Sequence, residues 1–202
     1  MAKIIVRDQI VSDDWALIRF PVKDEPVRKQ AGQPVIFKIT GEPAASAEEI
    51  AALQIPEDKV IVPLSVWLAR KDELLPRLNQ GSLGVWLDSF ERIESLAESL
   101  DNLNRFTVIG VNFPRFGDGR GYSIATLLRT RYGYTGELRA IGDVLHDQLF
   151  DLKRVGFDTF ALRADKNIED ALRGFNDFSE TYQSAVDQPL PLFRRHARRP
   201  AV

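Results

Sequence analysis

The 202-residue chain contains no cysteine. That absence removes disulfides, iron–sulfur clusters, thiolate zinc sites and every cysteine nucleophile. Histidine is almost as scarce, with only His146 and His196, so no metal site is expected from imidazoles either. No apolar run approaches the ~20 residues of a membrane span, and the N-terminus lacks a secretory apolar stretch, so a cytoplasmic protein with no membrane role is expected. Charge of one sign is also lacking. Lys and Arg number 27 against 29 Asp and Glu, a net of −2, which argues against a dedicated nucleic-acid binder. What remains is 44 % hydrophobic and 28 % charged residues, values that exclude collagen-like, mucin-like and wholly disordered chains.

The small net charge hides three blocks. Residues 1–40 carry a net of +2, residues 41–104 a net of −7, and residues 105–202 a net of +3. Arginine outnumbers lysine nineteen to eight, and thirteen to two in the last block. A planar guanidinium fork suits carboxylates, phosphates and other oxyanions, although a codon preference produces the same excess.

Residues 60–180 read as five strand–helix units. Apolar runs start near residues 60, 84, 106, 137 and 159, each followed by a helical apolar face and closed by glycines such as Gly81, Gly133 and Gly156. That spacing fits a strand plus a crossover helix and predicts an α/β fold with a mainly parallel sheet. An open doubly wound sheet and a partial barrel both fit five units. The runs Lys3–Val6, Trp15–Phe20 and Pro34–Ile39 suggest a small antiparallel N-terminal β extension or edge over 1–40. Residues 41–59 read as a junction, 60–185 as the α/β core, and 186–202 as a mobile basic tail with His196 inside it.

Ligands of such sheets gather beyond the carboxyl ends of the strands, where Asp88, Asn112, Asp143, Arg163 and Asp165 are expected. Helix capping competes for two of these. Asp88 with Glu91 fits a capping box, and Asp143 stands as an N-cap. The loop Asn112 to Gly121 is the most informative stretch. Gly117, Gly119 and Gly121 alternate there, Arg115 and Arg120 supply charge, Asp118 sits between, and a helix starts near Tyr122. It is neither a P-loop nor a dinucleotide fingerprint. A tight turn with an Asp118–Arg120 surface pair is the competing reading, and a left-handed φ at Gly119 or Gly121 would mark the loop as intolerant of side chains. Arg115, Arg120, Asp143 and Arg163 are expected to converge on one cleft able to hold a small oxyanion. Trp67 and Trp86 fall in apolar runs and are expected in the core.

The segment Phe116 to Phe160, with Asp118-Gly119-Arg120-Gly121, Gly136-Glu137-Leu138-Arg139-Ala140 and Gly142-Asp143-Val144-Leu145, resembles a proteobacterial family of unknown function. The genes of that family neighbour sulfite reductase, and its members are labelled oxidoreductases involved in sulfite reduction. The resemblance implies a place in sulfate assimilation and names no catalytic residue. A chain without cysteine holds neither the cluster of sulfite reductase nor the nucleophile of adenylylsulfate reductases. The expectation is therefore an accessory factor with no cofactor of its own, binding a small oxyanion or docking on sulfite reductase or another enzyme of sulfur assimilation. The alternative is a stand-alone metal- or phosphate-dependent enzyme using Asp88, Asp118 and Asp143.

Overall fold

The computed structural model describes residues 3–20 and 45–195. The expected run Pro34–Ile39 and residues 196–202 of the basic tail, His196 among them, lie outside the described residues. In chain order the strands are β1 (Lys3–Val6), β2 (Gln9–Ser12), β3 (Ala16–Leu17), β4 (Val60–Pro63), β5 (Leu83–Asp88), β6 (Val108–Phe113), β7 (Glu137–Gly142) and β8 (Thr159–Phe160). The helices are α1 (Ala47–Ala52), α2 (Leu64–Ala69), α3 (Lys71–Asn79), α4 (Ile93–Ser99), α5 (Arg120–Thr130), α6 (Leu149–Arg154), α7 (Ile168–Ala171) and α8 (Leu192–Arg195).

One sheet holds the strands in the order β2-β1-β8-β7-β6-β5-β4-β3. From β3 to β8 every neighbouring pair is parallel, while β1 pairs antiparallel with both β8 and β2. The α/β class, the parallel core and the small N-terminal β region are as the sequence predicts. The doubly wound alternative is not. Strands β4 to β8 follow one another without reversal, so same-handed crossovers put every helix on one face and no topological switch point exists. Side-chain alternation records the consequence. Val85, Leu87, Ile109, Val111, Leu138 and Phe160 face the helices in the large core, whereas Ile61, Trp86, Val108 and Ile141 form a separate cluster on the other face.

The sheet curls into a half-barrel, and the chain path shows why. Only residues 13–15 separate β2 at one edge from β3 at the other. Four Cα steps reach at most ~14 Å, whereas eight strands laid flat would hold those edges ~34 Å apart. The N-terminal β region thus supplies both an antiparallel hairpin beside β8 and a parallel edge strand beside β4. Trp15 and Leu17 of this crossing segment pack onto the helix-free cluster.

Two predicted helices are broken. The pattern from Pro63 to Gly81 divides at Arg70 (φ −120°, ψ 26°), whose guanidinium is drawn to the Leu53 carbonyl (2.7 Å) and the Glu73 carboxylate (2.6 Å). The helix expected through Ile168 and Phe175 becomes α7 followed by a 3-10 turn, because Gly174 lies directly against the His146 carbonyl.

Candidate functional site: the carboxyl mouth of the half-barrel

Strand pairing sets Asp88 beside Asn112 at the ends of β5 and β6, both buried on the helix-free face. Asn112 Nδ2 donates to Asp88 Oδ1 (3.4 Å), and Arg19 Nη2 donates to Asn112 Oδ1 (2.9 Å). Arg19 lies over the Trp86 ring at 5.2 Å, while the indole N–H donates to the Ile18 carbonyl (2.9 Å). Asp88 Oδ1 also accepts the Ser89 N–H (2.7 Å), and Glu91 Oε2 accepts the Asp88 N–H (2.7 Å). The capping-box contact from Glu91 therefore forms, but it closes a turn. Helix α4 starts only at Ile93, with Arg92 as its N-cap. Gly142, opposite Phe113, takes φ +96°, and a Cβ there would lie 2.6 Å from Asn112 Oδ1.

A second layer belongs to the loop after β6. Asp118 accepts Arg120 Nη2 (2.6 Å), Arg120 Nε (2.9 Å) and the Ser89 hydroxyl (2.6 Å), which ties the β5 and β6 loops together. The Arg120 guanidinium, with Ser89 adding to it, holds the Asp118 carboxyl down at a pKa of about 2, so it is ionised at neutral pH and has no proton to give. Asp143 is not the N-cap of its own helix. It accepts the Phe116 N–H (2.8 Å) and Arg163 Nη1 (2.7 Å), reaching across to the neighbouring loop. Arg163 also grips Asp165 (2.6 and 3.1 Å), which pulls the Asp165 pKa down to about 2. Gln148 completes the bracing by donating to the Phe116 carbonyl (3.1 Å).

Asp143 and Arg163 thus meet each other, and Asp143 meets the glycine loop. Arg120 turns to Asp118 instead. Arg115 is exposed, and its side chain makes no ion pair among the described residues. Neither Gly119 nor Gly121 is left-handed. Gly119 has φ −84°, and Gly121 lies inside α5, where a Cβ would meet the Phe113 ring at 2.7 Å. That glycine is needed for helix–sheet packing, whereas Gly117 and Gly119 face open space. No group of three His, Cys, Asp or Glu is placed to hold a metal among the described residues. Phe90 and Phe116, on the two tied loops, are 44 % and 46 % exposed.

Sequence reasoning passed over Arg19 and Ser89 and placed Trp86 only as core. The available signal was the alternation Gly84, Trp86, Asp88 on one face of β5. It gave Asp13 no role. Asp13 in fact accepts Arg139 Nη1 at 3.0 and 2.9 Å on the helix-free face, and Arg139 Nε donates to Glu137 (2.7 Å). The Arg139 side chain is only 4 % exposed. Burial pushes the Glu137 pKa upward despite its arginine. The signature around residue 129 is architectural as well. Arg129 donates to the carbonyls of Gly156 (2.9 Å), Tyr134 (2.7 Å) and Gly136 (2.9 Å) and to the Asp158 carboxylate (2.8 Å).

These features define a singly wound α/β half-barrel whose strand-end polar groups bind chiefly one another. The chain belongs to a family described as bacterial protein of unknown function (DUF934), whose profile matches residues 84–193. No curated protein and no solved structure matches the chain. No helix among the described residues is long and apolar enough to cross a membrane.

Proposed function

We propose that the protein is a cytoplasmic accessory factor of assimilatory sulfite reduction, which docks on sulfite reductase or another enzyme of sulfur assimilation through the carboxyl mouth of the half-barrel. The pathway rests on the resemblance carried by Phe116 to Phe160. The docking mode rests on one observation: Phe90 and Phe116 stand exposed on loops that Ser89 and Asp118 lock together, with exposed Arg115 beside them. Rigid aromatic side chains next to an arginine are what protein interfaces use as anchors. Asp118, fixed as a carboxylate, has no proton to give, and Asp143 is engaged by Arg163 and the Phe116 N–H. The redox cofactors belong to the partner.

The oxyanion reading keeps a narrower basis. Arg115 has its fork available at the loop tip, and Gly117 and Gly119 leave open space beside it. Calorimetry separates the two. Titration of the purified chain with the sulfite reductase haemoprotein is expected to give saturable binding that Phe90→Ser with Phe116→Ser weakens at least ~10-fold, the effect of losing anchor side chains. Titration with sulfite or sulfate is expected to give no heat that Arg115→Ala abolishes. Sulfite binding lost in Arg115→Ala, without binding to the haemoprotein, would replace docking by anion binding.

A further inference from the structure

A second group of exposed apolar side chains belongs to the C-terminal segment. Phe178, Tyr182, Leu190 and Phe193 are 65, 72, 51 and 65 % exposed. They belong to one segment, which doubles back on itself. The Leu192 N–H donates to the Tyr182 carbonyl (3.2 Å), and Arg195 donates to the carbonyls of Thr181 and Leu190 (both 2.7 Å). The segment is also fastened to α6, where Val186 N–H donates to the Arg154 carbonyl (2.9 Å) and Phe178 packs on Phe150 with centroids 5.1 Å apart. It is a built surface, not a loose end.

We infer that this surface is a two-fold interface between two copies of this chain. Area is the first argument. Large side chains exposed to this degree present roughly 500–600 Å² between them, the upper end of what monomers leave uncovered and most of the ~800 Å² per partner in a stable complex. Charge is the second. In a two-fold contact a surface meets itself, so a patch of one sign would repel its copy. Over residues 170–195 three arginines stand against four carboxylates. Both signs are exposed on the segment, Arg173 with Asp170 in one pair (3.2 Å) and Glu180 in another (3.1 Å), whose partner Arg195 is mostly buried. An anionic membrane or a nucleic acid would call for a basic surplus. The near balance fits a second copy.

Sedimentation velocity on the full chain tests this, from low micromolar concentration upward. The expected mass is about twice 22.8 kDa. Tyr182→Ser and Phe193→Ser replace exposed side chains, so melting curves should confirm an unchanged fold. Each is expected to raise the dimer dissociation constant at least ~10-fold, as loss of an interface anchor does. Phe90→Ser, at the mouth, should leave the dimer intact and so keeps this surface distinct from the docking reading. A monomer at every concentration overturns the inference, as does a dimer indifferent to Tyr182→Ser and Phe193→Ser.

Discussion

Arg139→Leu should be the most damaging change at any charged position of the half-barrel. Its guanidinium is 4 % exposed and joins two carboxylates, Asp13 at 2.9 Å and Glu137 at 2.7 Å. Removing it leaves two anions facing each other beside an apolar cluster, and breaking a buried pair from one side costs ~3–5 kcal/mol. A domain of this size has ~5–15 kcal/mol in total, and each kilocalorie is worth ~2–4 °C. The expected drop is therefore ~6–20 °C in Tm, with a matching fall in the urea midpoint. The loss should also depend on pH. Burial raises the Glu137 pKa in the folded state, so this group favours folding at low pH and opposes it as pH rises through its folded pKa. Without Arg139 that opposition grows. The gap between wild type and Arg139→Leu should narrow as pH falls from neutrality toward the ordinary carboxylate range. Adding Asp13→Asn and Glu137→Gln should restore part of the stability, because the orphaned charges are then gone. A loss below ~1 kcal/mol, the range of exposed pairs, would refute the reasoning and mean that the Asp13 crossing is not held by this network.

Asp118→Asn should cost roughly 1–3 kcal/mol at neutral pH, since charged hydrogen bonds to Arg120 and Ser89 weaken together. Because the folded pKa is about 2 against 3.8 for the free group, the Asp118 contribution is complete above 3.8 and disappears as pH falls through 2. Denaturation of wild type and variant should therefore converge in that window. Gly142→Ala should lose at least ~1–2 kcal/mol from its left-handed φ, with more from the Phe113 carbonyl 2.5 Å from the new Cβ. Gly119→Ala, at φ −84° in open space, should be neutral or stabilise by up to ~1 kcal/mol in the same melts.

The parallel core was legible because β4 to β8 are buried on both faces and read as short unbroken apolar runs. The barrel-like curl was not legible. Strand order depends on which face each crossover covers, and periodicity within a helix is the same either way. Local reading also assigned Asp143 to the nearest helix and offered nothing for Asp13, because capping and turn rules look only a few residues along the chain. Their actual partners are distant. Asp143 serves Phe116 and Arg163, and Asp13 meets Arg139, 126 positions further along the chain. Arg19, 93 residues from Asn112, carried no local signal of its destination.

The family match and the resemblance both draw on a stretch whose distinctive residues hold the scaffold. Arg129 gathers three carbonyls and Asp158, the Tyr134 hydroxyl donates toward the Phe106 and Glu137 carbonyls (3.1 and 3.0 Å), and Arg139 anchors the crossing segment. Such residues identify the fold strongly and say little about the ligand, because their polar atoms are spent internally. Function has to be sought where side chains are held rigidly yet left exposed. Phe90, Arg115 and Phe116 meet that condition at the mouth, on loops fixed by the Ser89–Asp118 and Asp143–Phe116 bonds. Anchors already held in place lose less freedom on binding.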